Sequence, residues 1–237
     1  MDRPEKSAIA NNEASRRGDS FSFRADALIF DLDGTLLDTV ADIGAACEHT
    51  LEKHGFPGHE LSAYKKMVGN GFDKLVERAI GYRPENIGEL VRETKEYYNV
   101  HLTERSRPYP RMAETLRDIA RRGTRLAVLS NKPDEMSKTI INHYFPDIPF
   151  EYVIGAIEGV PLKPDPSSLK RLLDRMNVAS ERAAYCGDSD VDMITASAAG
   201  ICAIGAGWGF RGAKELLEAG AKRVFAEPRE LATISRV

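Results

Sequence analysis

Ala27-Leu28-Ile29-Phe30-Asp31-Leu32-Asp33-Gly34-Thr35-Leu36-Leu37-Asp38 is the stretch on which the fold turns. Its first four residues are all apolar, the pattern of a strand buried on both faces of a parallel sheet. The run then stops in two carboxylates and a glycine. In open parallel sheets ligands bind beyond the carboxyl ends of the strands, so Asp31 and Asp33 stand where a site is expected. Alternate residues of an extended chain point the same way, which lets both aspartates face one small volume. Carboxylates held that close repel unless a cation or a shared proton compensates. A hard divalent ion that takes oxygen ligands, most simply Mg²⁺, meets that need and brings phosphate with it. Gly34 permits the sharp turn. Taken alone, Asp-x-Asp-Gly reads more simply as a strand ending in an Asx turn, with Asp38 capping the next helix. The rest of the chain decides between the two.

Downstream of Asp38 the period becomes helical: Ile43, Cys47 and Leu51 share a face, and Gly55 can end the helix. Further helical patterns cover 64–80, broken by Gly69-Asn70-Gly71, and 87–102. No strand signal stands between Thr39 and Arg107, and Pro108-Tyr109-Pro110 then punctuates the chain. Residues 39–110 therefore read as an all-helical insertion over the carboxyl end of the first strand. From Arg111 onward helices and strands alternate. Strands are expected at 125–129, 150–154, 183–186, 201–204 and 223–225, with helices at 112–122, 134–144, 167–176, 190–199 and 213–217. Such alternation implies an α/β fold, a doubly wound parallel sheet with helices on both faces, built from 21–38 and 111–237. Residues 1–20 read as a polar tail without the apolar stretch of a signal peptide, and Arg16-Arg17 lacks the hydrophobic sequel of a twin-arginine signal.

The 237 residues are 42% hydrophobic, enough for a full core. Lys and Arg total 33 against 36 Asp and Glu, a formal net charge of −3. That balance speaks against nucleic acid or an anionic membrane as partner. No apolar run is long enough to span a bilayer. The three cysteines, Cys47, Cys186 and Cys202, match no zinc or redox spacing. Cys186 and Cys202 lie in apolar strand-like runs and are expected to be buried inert thiols, and an odd count without a framework fits a reducing cytoplasm. The five histidines, His49, His54, His59, His101 and His143, are assigned to packing.

Three strands end in polar residues that can meet at one edge: Asp31 and Asp33, Ser130 and Asn131, and Asp188. Lys163 arrives in a proline-stiffened loop, Pro161-Leu162-Lys163-Pro164-Asp165-Pro166. A nucleophile, an acid, a hydroxyl, an ammonium and a carboxylate cluster suit metal-assisted phosphoryl transfer. With these residues assembled, the sequence resembles the haloacid dehalogenase superfamily of phosphatases. Its four motifs stand in order: Asp31-Leu32-Asp33-Gly34-Thr35, Ser130, Lys163, and Gly187-Asp188-Ser189-Asp190-Val191-Asp192. Val68-Gly69-Asn70-Gly71, Ser130-Asn131-Lys132-Pro133 and Gly205-Ala206-Gly207-Trp208-Gly209 resemble the phosphoglycolate phosphatase branch, with its helical cap.

The resemblance implies Asp31 as nucleophile and Asp33 as general acid and then base. It implies phosphate or substrate contacts from Gly34, Thr35, Ser130, Asn131, Lys163 and, in the cap, Asn70. Mg²⁺ would be held by Asp31, Asp33 and Asp188, with Asp192 and Ser189 supporting that shell. Lys132 is read either as a charge at the site's rim or as a solvated lysine. Asp190 is read as a helix N-cap, and Asp165 as a similar local cap. The expected partner is a small phosphorylated metabolite, 2-phosphoglycolate first; pyrophosphate, sugar phosphates, nucleotides and phosphonates are alternatives, and oligomeric state is open.

Two rival readings exist. Gly207-Trp208-Gly209-Phe210-Arg211-Gly212 satisfies G-x-G-x-x-G after a strand, and Glu227 lies where a ribose-binding acid would, as in a nicotinamide-dependent dehydrogenase. It sits too near the carboxyl terminus to be followed by a dinucleotide domain and leaves Asp31, Asp33, Lys163 and Asp188 without a role. A non-enzymatic phospho-acceptor domain also clusters an Asp, a hydroxyl and a Lys, but it has no use for Asp33 or for the insertion.

Overall fold

The computed structural model describes residues 23–234, so the polar tail at 1–20 lies outside the described residues. The strands are β1 (Ala27–Phe30), β2 (Leu37–Asp38), β3 (Arg107–Pro108), β4 (Arg125–Pro133), β5 (Phe150–Ala156), β6 (Ala183–Gly187), β7 (Cys202–Ala206) and β8 (Arg223–Phe225). The helices are α1 (Val40–Lys53), α2 (Leu61–Met67), α3 (Gly71–Ile80), α4 (Ile87–Val100), α5 (Met112–Arg121), α6 (Asp134–Tyr144), α7 (Ser167–Met176), α8 (Asp190–Ala199) and α9 (Ala213–Glu218).

Six strands form one sheet in the order β5-β4-β1-β6-β7-β8, with every pairing parallel. The expected doubly wound α/β fold is present. Along β1 the side chains alternate between two separate apolar clusters. Leu28 and Phe30 pack with α5 and α6, through Leu116, Ile119 and Ile140 among others. Ala27 and Ile29 pack with α7 and α8, through Leu169, Leu172 and Met193. A strand that is apolar at every position thus feeds both faces of the sheet. Strand order reverses at β1: the chain proceeds to β4 and β5 on one side and to β6, β7 and β8 on the other. Such a switch point leaves a crevice at the carboxyl ends of the strands.

The chain leaves the sheet at β2 and returns at β3, and these two short strands pair antiparallel as a ribbon, Leu37 with Pro108 and Asp38 with Arg107. Between them stand only the helices α1 to α4 and their connections. The sequence pattern missed β3 because a two-residue strand carries no periodicity. The stem of the insertion is tied by buried Asp42 on α1, whose Oδ2 accepts from Ser106 N and Ser106 Oγ, both at 2.7 Å. Ile43, Cys47, Leu51, Phe72, Leu75 and Leu90 of the insertion belong to the same apolar cluster as Leu28 and Phe30, so the insertion is seated on the sheet through continuous packing.

Two local expectations change. Ser189, not Asp190, is the N-cap of α8: its hydroxyl and Asp192 form a reciprocal capping box, with Asp190 the first helical residue. Asp38 Oδ1 does accept from Val40 N at 3.3 Å, although Thr39 holds the cap position of α1. Cys186 is a buried thiol as expected, whereas Cys202, expected buried, is only half-buried; Cys47 on α1 is buried as well.

Candidate active site

β1, β4 and β6 are adjacent, so whatever follows their carboxyl ends is brought to one place. After β1 the chain turns at once, with Gly34 N donating to Leu37 O at 2.8 Å. Gly34 has φ +79°, and a Cβ there would collide with the Asp188 carboxylate. Glycine is required on both counts. The turn leaves Asp31 and Asp33 beside Ser130 and Asn131 of β4 and beside Asp188, which follows β6. Lys163 is carried in by the loop between β5 and α7.

The Lys163 ammonium is the hub. It stands 2.9 Å from Asp31 Oδ1 and 2.7 Å from Asp192 Oδ1, and donates to Tyr185 Oη at 2.9 Å. Tyr185 Oη in turn donates to Leu129 O at 2.7 Å. The lysine is 5% exposed, which excludes a solvated surface role. Burial alone would disfavour its charge, but Asp192 and Asp31 outweigh that and hold it well above its ordinary pKa. Burial also raises the Asp31 carboxyl, to about 6; Lys163 opposes the shift, and Asp192 and Asp33 add to it. Asp188 is pushed up well above the carboxylate range by burial, then by Asp192 and Asp31, against a hydrogen bond from Phe210 N.

Carboxylate oxygens of Asp31, Asp188 and Asp192 lie within 4.8 Å of one another, all buried. Asp31 Oδ1 accepts no aligned hydrogen bond among the described residues, although the Lys163 charge is beside it. Buried oxygens crowded together, with the Asp31 and Asp188 carboxyls raised and an unsatisfied lone pair on Asp31, fit a hard divalent cation. Asp192 is the least free of the three. Its Oδ1 serves Lys163, and its Oδ2 accepts from Ser189 N at 3.1 Å and Ser189 Oγ at 2.7 Å. That is the geometry of a supporting carboxylate.

Asp33 lies off this cluster. Its Oδ1 accepts from Thr39 Oγ1 at 2.7 Å and stands 3.0 Å from Lys132 Nζ. Of the two readings of Lys132, the structure excludes the solvated one. Lys132 is 4% exposed, and its ammonium donates to Tyr98 Oη on α4 at 2.7 Å. Burial lowers its pKa, opposed chiefly by Asp33. No local signal marks Tyr98 or Thr39; only the folded insertion brings them to Asp33.

Ser130, Asn131, Lys132, Asp31 and Asp33 line a cavity of about 30 Å³ whose other walls are Ile43, Val68, Gly69, Gly71, Phe72 and Leu75 from the insertion. Ser130 Oγ accepts from Lys132 N at 3.3 Å, leaving its proton to give. Asn131 is not free to bind a substrate through its side chain. Its Nδ2 donates to Gly69 O and Lys163 O, both at 3.0 Å, and its Oδ1 accepts from Lys163 N at 2.8 Å. Asn70 likewise turns away: its Oδ1 accepts from Arg78 at 2.7 Å near the surface, and its glycine neighbours, not Asn70, line the cavity. The Thr35 hydroxyl donates to Asp188 Oδ1 at 3.3 Å, and the Gly34 amide closes its own turn, so both shape the loop and do not present donors to the cavity.

The glycine-rich stretch 207–212 follows β7 but opens only the six-residue α9. Gly209 packs so closely that a Cβ would collide with Asp188 and Gly34 O. Phe210 N donates to Asp188 Oδ2 at 2.8 Å, and Trp208 Nε1 to Thr35 O at 2.9 Å. Gly209 is spent on packing against Asp188 and Gly207 on packing against Phe225 O and Val224, which removes the dinucleotide reading.

Residues 28–206 match the family model described as haloacid dehalogenase-like hydrolase. Phosphoglycolate phosphatase of Vibrio cholerae is 33% identical over 196 residues, 77% of this chain and 84% of the relative. That of Haemophilus influenzae is 28% identical over 214 residues, 86% of this chain and 96% of the relative. Among solved structures, a phosphoglycolate-phosphatase-like protein of Lactobacillus delbrueckii subsp. bulgaricus superposes with TM-score 0.82 at 27% identity, covering 89% of this chain and 98% of the other.

Proposed function

The chain belongs to the haloacid dehalogenase-like hydrolase family, and from that premise we propose that it hydrolyses a small phosphomonoester, 2-phosphoglycolate, through a phosphoryl group carried on Asp31. One observation supports this reading above the rest: a small cavity over Asp31 and Asp33 in which Ser130 and Lys132 face an apolar roof supplied by the insertion.

Each group has chemistry suited to its place. Asp31 attacks phosphorus while Asp33 protonates the departing alkoxide. In the second half Asp33 takes a proton from water, which attacks phosphorus and frees Asp31. The Ser130 hydroxyl donates to an equatorial oxygen, while the Lys163 ammonium, held by Asp31, Asp192 and Tyr185, steadies Asp31 and offsets the phosphoryl charge as it redistributes. Asp31, Asp188 and the backbone carbonyl of Asp33 would hold Mg²⁺, with Asp192 and Ser189 behind them; when bound, the ion neutralises phosphoryl charge. Asp33 is held off that cluster by Thr39 and Lys132, where it can exchange a proton.

The helical segment 39–110 acts as a cap. Its seated position puts Val68, Gly69, Gly71, Phe72 and Leu75 over Asp31 and Asp33 and leaves a small cavity between, which suits a short leaving group. Lys132 supplies positive charge for a short anionic leaving group, and the relatives' names point to glycolate. Steady-state kinetics across phosphorylated metabolites tests this. The expected order places kcat/KM for 2-phosphoglycolate above hexose phosphates and nucleotides by at least roughly tenfold. A hexose phosphate, nucleotide or pyrophosphate turned over tenfold more efficiently overturns the substrate assignment and leaves the Asp31 chemistry standing.

A further inference from the structure

Helix α2 ends in carbonyls that its own last turn cannot satisfy. Three successive carbonyls there each accept from a side chain. Met67 O takes Arg78 Nη1 at 2.8 Å, Val68 O takes Arg211 Nη2 at 3.0 Å, and Gly69 O takes Asn131 Nδ2 at 3.0 Å. The first donor belongs to the insertion itself. The other two belong to the sheet domain, Asn131 to the end of β4 and Arg211 to the loop after β7.

Both segments also hold groups of the reaction centre. Arg211 directly follows Phe210, whose amide donates to Asp188, and Gly209, which packs on Asp188 and Gly34. Asn131 clasps both the amide and the carbonyl of Lys163. The gripped turn is the roof of the cavity, since Val68, Gly69 and Gly71 line it. The Arg211 side chain is 13% exposed, with Glu215 at 3.9 Å as its only ion partner among the described residues. Lifting the insertion would leave the guanidinium half-satisfied and strip two carbonyls of their donors. A cation at a helix carboxyl end also gains from the peptide dipoles.

We propose that Arg211 and Asn131 form a two-point latch that seats the insertion when the Asp188 and Lys163 loops are in their working positions, and that Arg211 is a positioning residue for turnover. The inference rests on the phosphatase reading of the site. The glycine-rich stretch thereby has two roles, since it wraps Asp188 and also ends in the arm that fastens the roof.

Hydrogen exchange on the full chain, without substrate, reads the latch directly. Arg211→Met keeps the stem and removes the donors; Arg211→Lys keeps a cation. The expected result is exchange at least about fivefold faster in peptides covering 61–72 for Arg211→Met, with β1 and β6 peptides unchanged and Arg211→Lys intermediate. In the same variants kcat/KM for 2-phosphoglycolate should fall about tenfold for Arg211→Met and less for Arg211→Lys. Unchanged exchange in 61–72 overturns the latch, whatever happens to the kinetics. So does faster exchange throughout the chain, which marks a stability effect. If Arg211→Met does not fold, Arg211→Lys decides on the same criteria. Because the exchange arm uses no substrate, an inactive wild type would refute the phosphatase reading without touching this result.

Discussion

Asp33 has a proton to give and a proton to take, and the two halves of the reaction separate them. Departure of an alkoxide needs the proton; departure of p-nitrophenolate does not. General acid catalysis is worth roughly 10²–10⁴-fold where the leaving group is poor. Asp33→Asn is therefore expected to lower kcat/KM for 2-phosphoglycolate by at least about a hundredfold more than for p-nitrophenyl phosphate. Equal losses on both substrates would leave Asp33 a structural residue. That Asp31 and Asp33 stand together at a strand end was legible in the sequence, because an apolar strand that ends abruptly in Asp-x-Asp-Gly is a local pattern. Lys132 was not, since a lysine after Ser130-Asn131 looks the same whether it faces water or Asp33. Its burial depends on Tyr98, 34 residues earlier in the chain. Asn70 failed in the opposite way. The Gly-Asn-Gly turn was read as displaying its carboxamide to the site, but Arg78 on α3 captures that oxygen.

At the scale of elements, loops at strand ends carry the site, and close backbone approach sets its shape. Gly209 lies against Asp188 and the Gly34 carbonyl with no room for a methyl group. Gly209→Ala must push the Asp188 carboxylate or the turn after β1 aside, at a cost of roughly 1–3 kcal/mol typical of overpacking. Because Asp188 is the group displaced, Mg²⁺ affinity should weaken by about tenfold or more, beyond what the loss of stability explains. Isothermal titration with Mg²⁺ alone measures this. Wild-type affinity in Gly209→Ala would mean that Asp188 does not hold the ion. The strands and helices themselves were largely legible: α6, α7, α8 and β8 fall where periodicity put them. The β2–β3 ribbon and the joining of insertion and sheet into one apolar cluster were not, because both depend on contacts between distant segments.

For the whole molecule, the carboxylate cluster couples stability, pH and metal. The folded-state pKa of Asp31 lies near 6, above its value of 3.8 in an unfolded chain, and Asp188 shifts in the same direction. Between those values the folded protein holds protons that the unfolded chain has released. The contribution of these groups is therefore fully present below about pH 4 and declines as pH rises through about 6. A divalent cation reverses that decline by binding the ionised form. Saturating Mg²⁺ should raise the thermal midpoint more at about pH 7.5 than at pH 5, as differential scanning fluorimetry would record. Chelation should abolish activity and leave the circular dichroism spectrum intact, since the site stands on strand ends already packed on both faces. An equal Mg²⁺ shift at both pH values would contradict the assignment of Asp31 and Asp188 as ligands. No helix among the described residues is long and apolar enough to cross a membrane.

Every step of the proposed reaction passes through a phosphoryl group on Asp31, and mapping that group is the most direct test. In Asp33→Asn the base for the second half is gone, so the intermediate should persist after p-nitrophenyl phosphate has reacted. The predicted result is a burst of p-nitrophenolate close to one equivalent of enzyme. Acid quenching and peptide mass spectrometry should then find the added phosphoryl group on Asp31, with none formed in Asp31→Asn. A phosphoryl group mapped to another side chain, or Asp31→Asn turning over at a substantial fraction of the wild-type rate, would contradict the mechanism.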